Sequence, residues 1–112
     1  MSLPISETAL VSACLEILAL KGCFAWRQNQ GAMAAEYKGK TRFIRFAGAK
    51  GISDIIGVLP DGRFLSVECK VGRNKATDWQ ADFQDCVRRL GGVAFLIYSS
   101  DQLLRELKAI GV

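Results

Sequence analysis

Histidine is absent from all 112 residues. Its absence excludes an imidazole general base, a histidine-paired nucleophile and the usual mixed zinc sites. Any cation held by side chains is therefore expected on oxygen ligands, which suit magnesium or manganese. Cys14, Cys23, Cys69 and Cys86 form no CxxC pair and sit among apolar neighbours. That favours buried thiols in a reducing compartment over metal ligation or disulfides. No apolar run reaches the ~18 residues of a membrane span, and no basic, cleavable apolar leader opens the chain. The expectation is a cytoplasmic protein with no membrane partner. Low-complexity tracts, internal repeats and interdomain linkers are also missing, so residues 1–112 are expected to form one domain with one core.

Charge of one sign is in short supply locally. Lys and Arg number 15 against 11 acids, and Lys38, Lys40, Arg42, Arg45 and Lys50 follow one another without an acid between them. Lys70, Arg73 and Lys75 make a second basic set. Such clusters suit a polyanion, although a solvated face is the commoner meaning of a charge run.

Periodicity places the elements. Leu10, Val11, Cys14, Leu15, Ile17 and Leu18 recur at helical spacing between a capping Ser6 and a terminating Gly22. Glu7 projects along that apolar stripe and Glu16 away from it. Taken locally, Glu7 is first of all a first-turn acid favourable to the helix dipole. Cys23 to Arg27 and Arg42 to Phe46 can form strands. Thr77 to Leu90 is expected to be a helix with Trp79, Phe83, Cys86, Val87 and Leu90 inward. Val93 to Tyr98 follows as a buried strand, and Ser100 can cap a last helix over Asp101 to Ala109. The fold class is α/β, a mixed central sheet with helices on both faces. Trp26 and Trp79 are expected to pack rather than stack on bases.

Pro60-Asp61-Gly62 separates two apolar segments, Ile52 to Leu59 and Arg63 to Val71, and predicts a hairpin. With Gly62 left-handed in a three-residue loop, Leu59 pairs with Arg63. One face then carries Ile55, Gly57, Leu65, Val67 and Cys69. The other carries Ile52, Asp54, Ile56, Val58, Phe64, Ser66, Glu68 and Lys70, with Asp54 opposite Glu68. Cross-strand Cβ atoms lie within about 5.5 Å. Two carboxylates that close repel by roughly 3 kcal/mol at an effective dielectric near 20, and a divalent cation reverses the sign. The spacing alone leaves a metal site level with a solvated strand end salt-bridged by Lys70.

Gly51-Ile52-Ser53-Asp54, a hairpin, then Glu68-Cys69-Lys70 resembles the PD-(D/E)XK nuclease core, and more narrowly its VRR-NUC (virus-type replication-repair nuclease) branch. The likeness extends over Ser6-Glu7, Gly22, Trp26-Arg27, Gln80 with Phe83, and Gly91-Gly92. It departs at Ser53, where the superfamily pattern has proline, and at Cys69, where an aliphatic residue is usual. The resemblance implies a restriction-endonuclease-like fold and a metal-dependent endodeoxyribonuclease using Mg2+ or Mn2+. Asp54, Glu68 and the Cys69 carbonyl would bind metal, with Glu7 contributing through water. Lys70 would assist the attacking water or the phosphate. Gln80 would position water or lysine, although Thr77-Asp78-Trp79-Gln80 is also a capping box. Arg27, Arg45, Lys50, Arg73 and Lys75 would contact the DNA backbone. Stand-alone members resemble Holliday-junction resolvases in replication and DNA repair, implying branched DNA, a homodimer and a phage or bacterial, nucleoid-associated setting. The alternatives are a nonenzymatic nucleic-acid-binding module with the same fold, and a flap or nick nuclease of the same chemistry.

Overall fold

The structure, a computed structural model, describes residues 5–28 and 51–112. The expected strand Arg42 to Phe46 and the basic run from Lys38 to Lys50 lie outside the described residues.

Helix α1 spans Glu7–Leu20, and the Ser6 side chain caps it by accepting from the Ala9 amide at 3.0 Å. Gly22 ends it at φ 81°, with the Gly22 amide on the Ala19 carbonyl and the Cys23 amide on the Leu18 carbonyl. This is a Schellman close, which satisfies carbonyls the helix would otherwise leave bare. Strands β1 (Phe24–Arg27), β2 (Ile55–Val58) and β3 (Phe64–Cys69) follow, then α2 (Asp78–Arg89), β4 (Val93–Ile97) and α3 (Ser100–Ala109). The strands lie side by side in that order; β1, β2 and β3 run antiparallel in turn, and β4 joins β3 in parallel.

The hairpin takes the expected register. Ile55 pairs with Val67, Gly57 with Leu65 and Val58 with Phe64. Gly62 sits at φ 92°, its amide bonded to the Leu59 carbonyl, and the Leu59 amide bonds the Arg63 carbonyl at 2.9 Å. Turn chemistry thereby decides which side chains point to which face. On one face Ile55, Leu65, Val67, Cys69, Phe95 and Ile97 pack against Leu10, Val11, Cys14 and Leu18 of α1 and Leu103 and Leu107 of α3. Each fully buried leucine or isoleucine there contributes roughly 1.5–3 kcal/mol.

The opposite face is covered by α2, which packs on β3 and β4, with only part of the expected stripe inward. Val87 is buried and Phe83 half-buried as expected, and Gln84 is buried beside them, whereas Trp79, Cys86 and Leu90 are exposed. The inward stripe is shifted toward Gln80 and Gln84 by less than one residue step. Polar Ser66 and Glu68 lie buried beneath it, and they need hydrogen-bonding partners rather than aromatic rings. Trp26 is likewise not core, being 40% exposed beside Phe24. Smaller corrections concern α3, where Ser99 rather than Ser100 is the cap, and Cys86, the one exposed thiol against buried Cys14, Cys23 and Cys69. Among the described residues no helix is long and apolar enough to cross a membrane.

Candidate metal centre

Asp54 stands one residue before β2, and Glu68 one residue before the end of β3. Their exposures are 5% and 1%. Asp54 leaves the ladder because its side chain does what a neighbouring strand would do: Oδ2 accepts from the Cys69 amide at 2.8 Å. Its own carbonyl accepts from the Gln28 amide, which ties β1 to the same spot. Asp54 lies close enough to Glu68 for its charge to act on the Glu68 carboxyl. The two acids therefore meet inside the protein rather than at a solvated strand end.

Burial pushes the Glu68 carboxyl up to about 8, and the Asp54 charge adds to the rise while Lys70 opposes it. Glu7, half-buried in the first turn of α1, adds a smaller repulsion from the side. Lys70 Nζ lies 3.7 Å from Glu68 Oε2. The same oxygen accepts from Gln80 Nε2 at 2.9 Å. Gln80 Oε1 meanwhile accepts from the Thr77 amide, and the Gln80 amide donates to Thr77 Oγ1. Gln80 is thus both the capping-box residue and a partner of the buried acid, since the two ends of one amide serve the two purposes.

Glu68 Oε1 is buried with no hydrogen-bond partner. Without a cation this carboxyl keeps its proton at neutral pH; once ionised, with Oε1 orphaned beside a second acid, it is costly unless a cation is bound there, and an all-oxygen pair fits magnesium or manganese. Among the described residues no group of three or more His, Cys, Asp or Glu side chains gathers. A cation would therefore draw further ligands from backbone carbonyls, water or substrate phosphate. The Cys69 thiol is not one of them. It points into the core, and a hydrogen bond with Cys14 together with burial keeps it protonated.

Arg27 ends β1 and is half-buried, while Arg73 and Lys75 are exposed in the connection after Lys70. That connection is tied down by Tyr98, whose hydroxyl donates to the Asn74 carbonyl at 2.7 Å. Arg45 and Lys50 lie outside the described residues. Two residues at the site escaped the sequence reading. Ser53 and Gln84 are both buried and bonded to each other at 2.9 Å. The signal for Gln84 was its place four residues after Gln80, on the same helix face.

No family model matches the sequence, and no curated protein does. A solved structure described as "VRR_NUC domain" aligns over 95% of this chain and 97% of its own length. Its TM-score is 0.64 and its identity 20%. The chain has the fold of that domain, which is the α/β nuclease-type fold the sequence resemblance implied.

Proposed function

We propose that this chain is a VRR-NUC endonuclease that hydrolyses DNA phosphodiester bonds with Mg2+ or Mn2+. The observation carrying this reading is the buried Asp54–Glu68 pair with its unpartnered Glu68 Oε1 and Lys70 alongside. Asp54, Glu68 and the Cys69 carbonyl would hold the cation, with Glu7 reaching it through water. When bound, such a cation would supply an activated water and positive charge against the phosphate. The chain's own residues do the rest. Gln80 fixes the orientation of Glu68, and Asp54, clamped by the Cys69 amide, keeps the two strand ends in register. Lys70 places a fixed positive charge where the phosphate becomes more negative.

Arg27, Arg73 and Lys75, with Arg45 and Lys50, would grip the backbone without reading bases, giving salt-sensitive and sequence-tolerant binding. A net charge of +4 supports a polyanionic substrate. Branched DNA is the favoured substrate, and a homodimer would match the two-fold symmetry of a four-way junction. Light scattering should give twice the monomer mass at micromolar concentration; a strict monomer argues against junction resolution.

The deciding assay offers labelled junctions, flaps, single strands and duplexes with and without Mg2+ or Mn2+, to wild type and Lys70→Ala. Branched substrates should be cut only with the cation, and Lys70→Ala should be slower by roughly a hundred- to a thousand-fold while binding DNA normally. Binding without any cation-dependent cleavage would identify a nonenzymatic module instead.

A further inference from the structure

Ser53 occupies the place where the nuclease pattern has proline, and it does what proline cannot. Its Oγ lies in hydrogen-bonding contact with the Ser66 hydroxyl, and both hydroxyls contact Gln84 Oε1. The other end of the Gln84 amide is fixed, Nε2 donating to the Phe95 carbonyl of β4 at 2.7 Å. This assigns the amide orientation and leaves Oε1 to accept a serine proton, with the two hydroxyl protons shared over the three contacts. Ser53 and Ser66 are fully buried and Gln84 nearly so. A wholly buried polar cluster of this kind is costly unless every member is satisfied, and when satisfied it fixes one arrangement of the elements it joins.

What it joins is informative. Ser53 directly precedes Asp54. Ser66 lies two residues before Glu68 on the same strand face. Gln84 lies one helical turn beyond Gln80, which holds Glu68 Oε2. One amide thus touches the neighbours of both acids and sits on the helix that carries their partner. Strand alternation would send Ser53 to the opposite face from Ser66; the chain leaves the ladder before β2 and turns Ser53 toward α2.

We propose that Gln84, acting through Ser53 and Ser66, is a positioning residue that sets the spacing of Asp54 and Glu68 for cation uptake. The inference rests on the metal-dependent reading above. Groups outside the ligand set that orient metal ligands typically alter affinity or activity by 10–100-fold when removed.

The test is calorimetric titration of Mn2+ into wild type, Gln84→Met and Ser53→Ala, below the melting temperature of each, with kcat and KM measured on a DNA substrate that wild type cleaves. Gln84→Met should take up Mn2+ at least roughly ten-fold more weakly and lose kcat by a similar factor, with KM for DNA within about two-fold. Ser53→Ala should do the same in smaller measure, and the double variant should fall short of the sum of the two effects. Should Gln84→Met fail to fold, Ser53→Ala, which removes a single oxygen, decides. Wild-type Mn2+ affinity and kcat in a folded variant would overturn the positioning role alone. A wild type that neither takes up Mn2+ nor cleaves would overturn the nuclease reading, and this inference with it.

Discussion

Glu68→Gln is expected to make the cation-free protein more stable above pH 8 while abolishing cleavage. The carboxyl lies at about 8 in the fold against an ordinary 4.5. Between those values the folded protein keeps a proton on Glu68 that the unfolded chain has released. Stability from this group is therefore full below pH 4.5, falls as pH rises toward 8, and is level above it. Each pKa unit is worth about 1.4 kcal/mol, so the buried charge costs on the order of 5 kcal/mol at pH 9. Glutamine removes that charge and can still accept from Gln80, although Lys70 loses its ionic partner. The expected net gain at pH 9 is about 3 kcal/mol, read by urea denaturation at pH 5 and pH 9. Wild type should lose stability between the two, and Glu68→Gln should lose much less. Equal losses in both proteins would mean that Glu68 carries no such strain. Mg2+ should restore the wild type at pH 9 and leave the variant unchanged, because the cation offsets a charge the variant lacks.

Gly51→Ala is expected to be the most disruptive change of a single methyl group. Gly51 adopts φ 81°, a conformation that L side chains rarely take. A Cβ there would lie 2.2 Å from the Trp79 carbonyl oxygen and 2.6 Å from the Gln80 nitrogen. Both neighbours are backbone of the first turn of α2, so no side chain can swing aside. The helix must move or the loop must unfold, and a loss of about 3 kcal/mol or more follows. Gly62 supplies the control. It has φ 92° with nothing within 4 Å, so Gly62→Ala meets only the backbone preference, roughly 1–2 kcal/mol. For a domain of about 100 residues each kcal/mol moves the melting temperature by roughly 4–8 °C. Thermal melts should therefore separate the two variants by several degrees, with Gly51→Ala the lower. Coincident melting temperatures would show that the close approach to α2 is unimportant. Cleavage should fall with Gly51→Ala as well, since Gln80 would be drawn away from Glu68.

Local rules in the chain account for the way Asp54, Glu68 and Lys70 come together. The left-handed Gly62 in a three-residue loop sets the hairpin register, and the register puts Asp54 across from Glu68 with Lys70 beyond. Helical phase brings Glu7 inward on α1. These are short-range consequences of turn chemistry and of periods of two and 3.6 residues. The same periodicity also points three residues of α2 the wrong way. Trp79, Cys86 and Leu90 share one stripe of α2, yet Trp79 is 57% and Leu90 83% exposed.

By itself, then, the order of residues determined, among the described residues, which segments become helices and strands to within a few residues, how the hairpin is aligned and that Asp54 and Glu68 come to one end of it. The tertiary structure alone decided which side of α2 turns inward, that Ser53 leaves its strand face to meet Gln84, and that Gly51 must admit the helix backbone. The physical reason is that buried polar groups must find partners wherever the folded chain brings them. Ser66 and Glu68 meet theirs on a helix that follows them in sequence, and a need of that kind leaves no mark in the spacing of neighbouring residues.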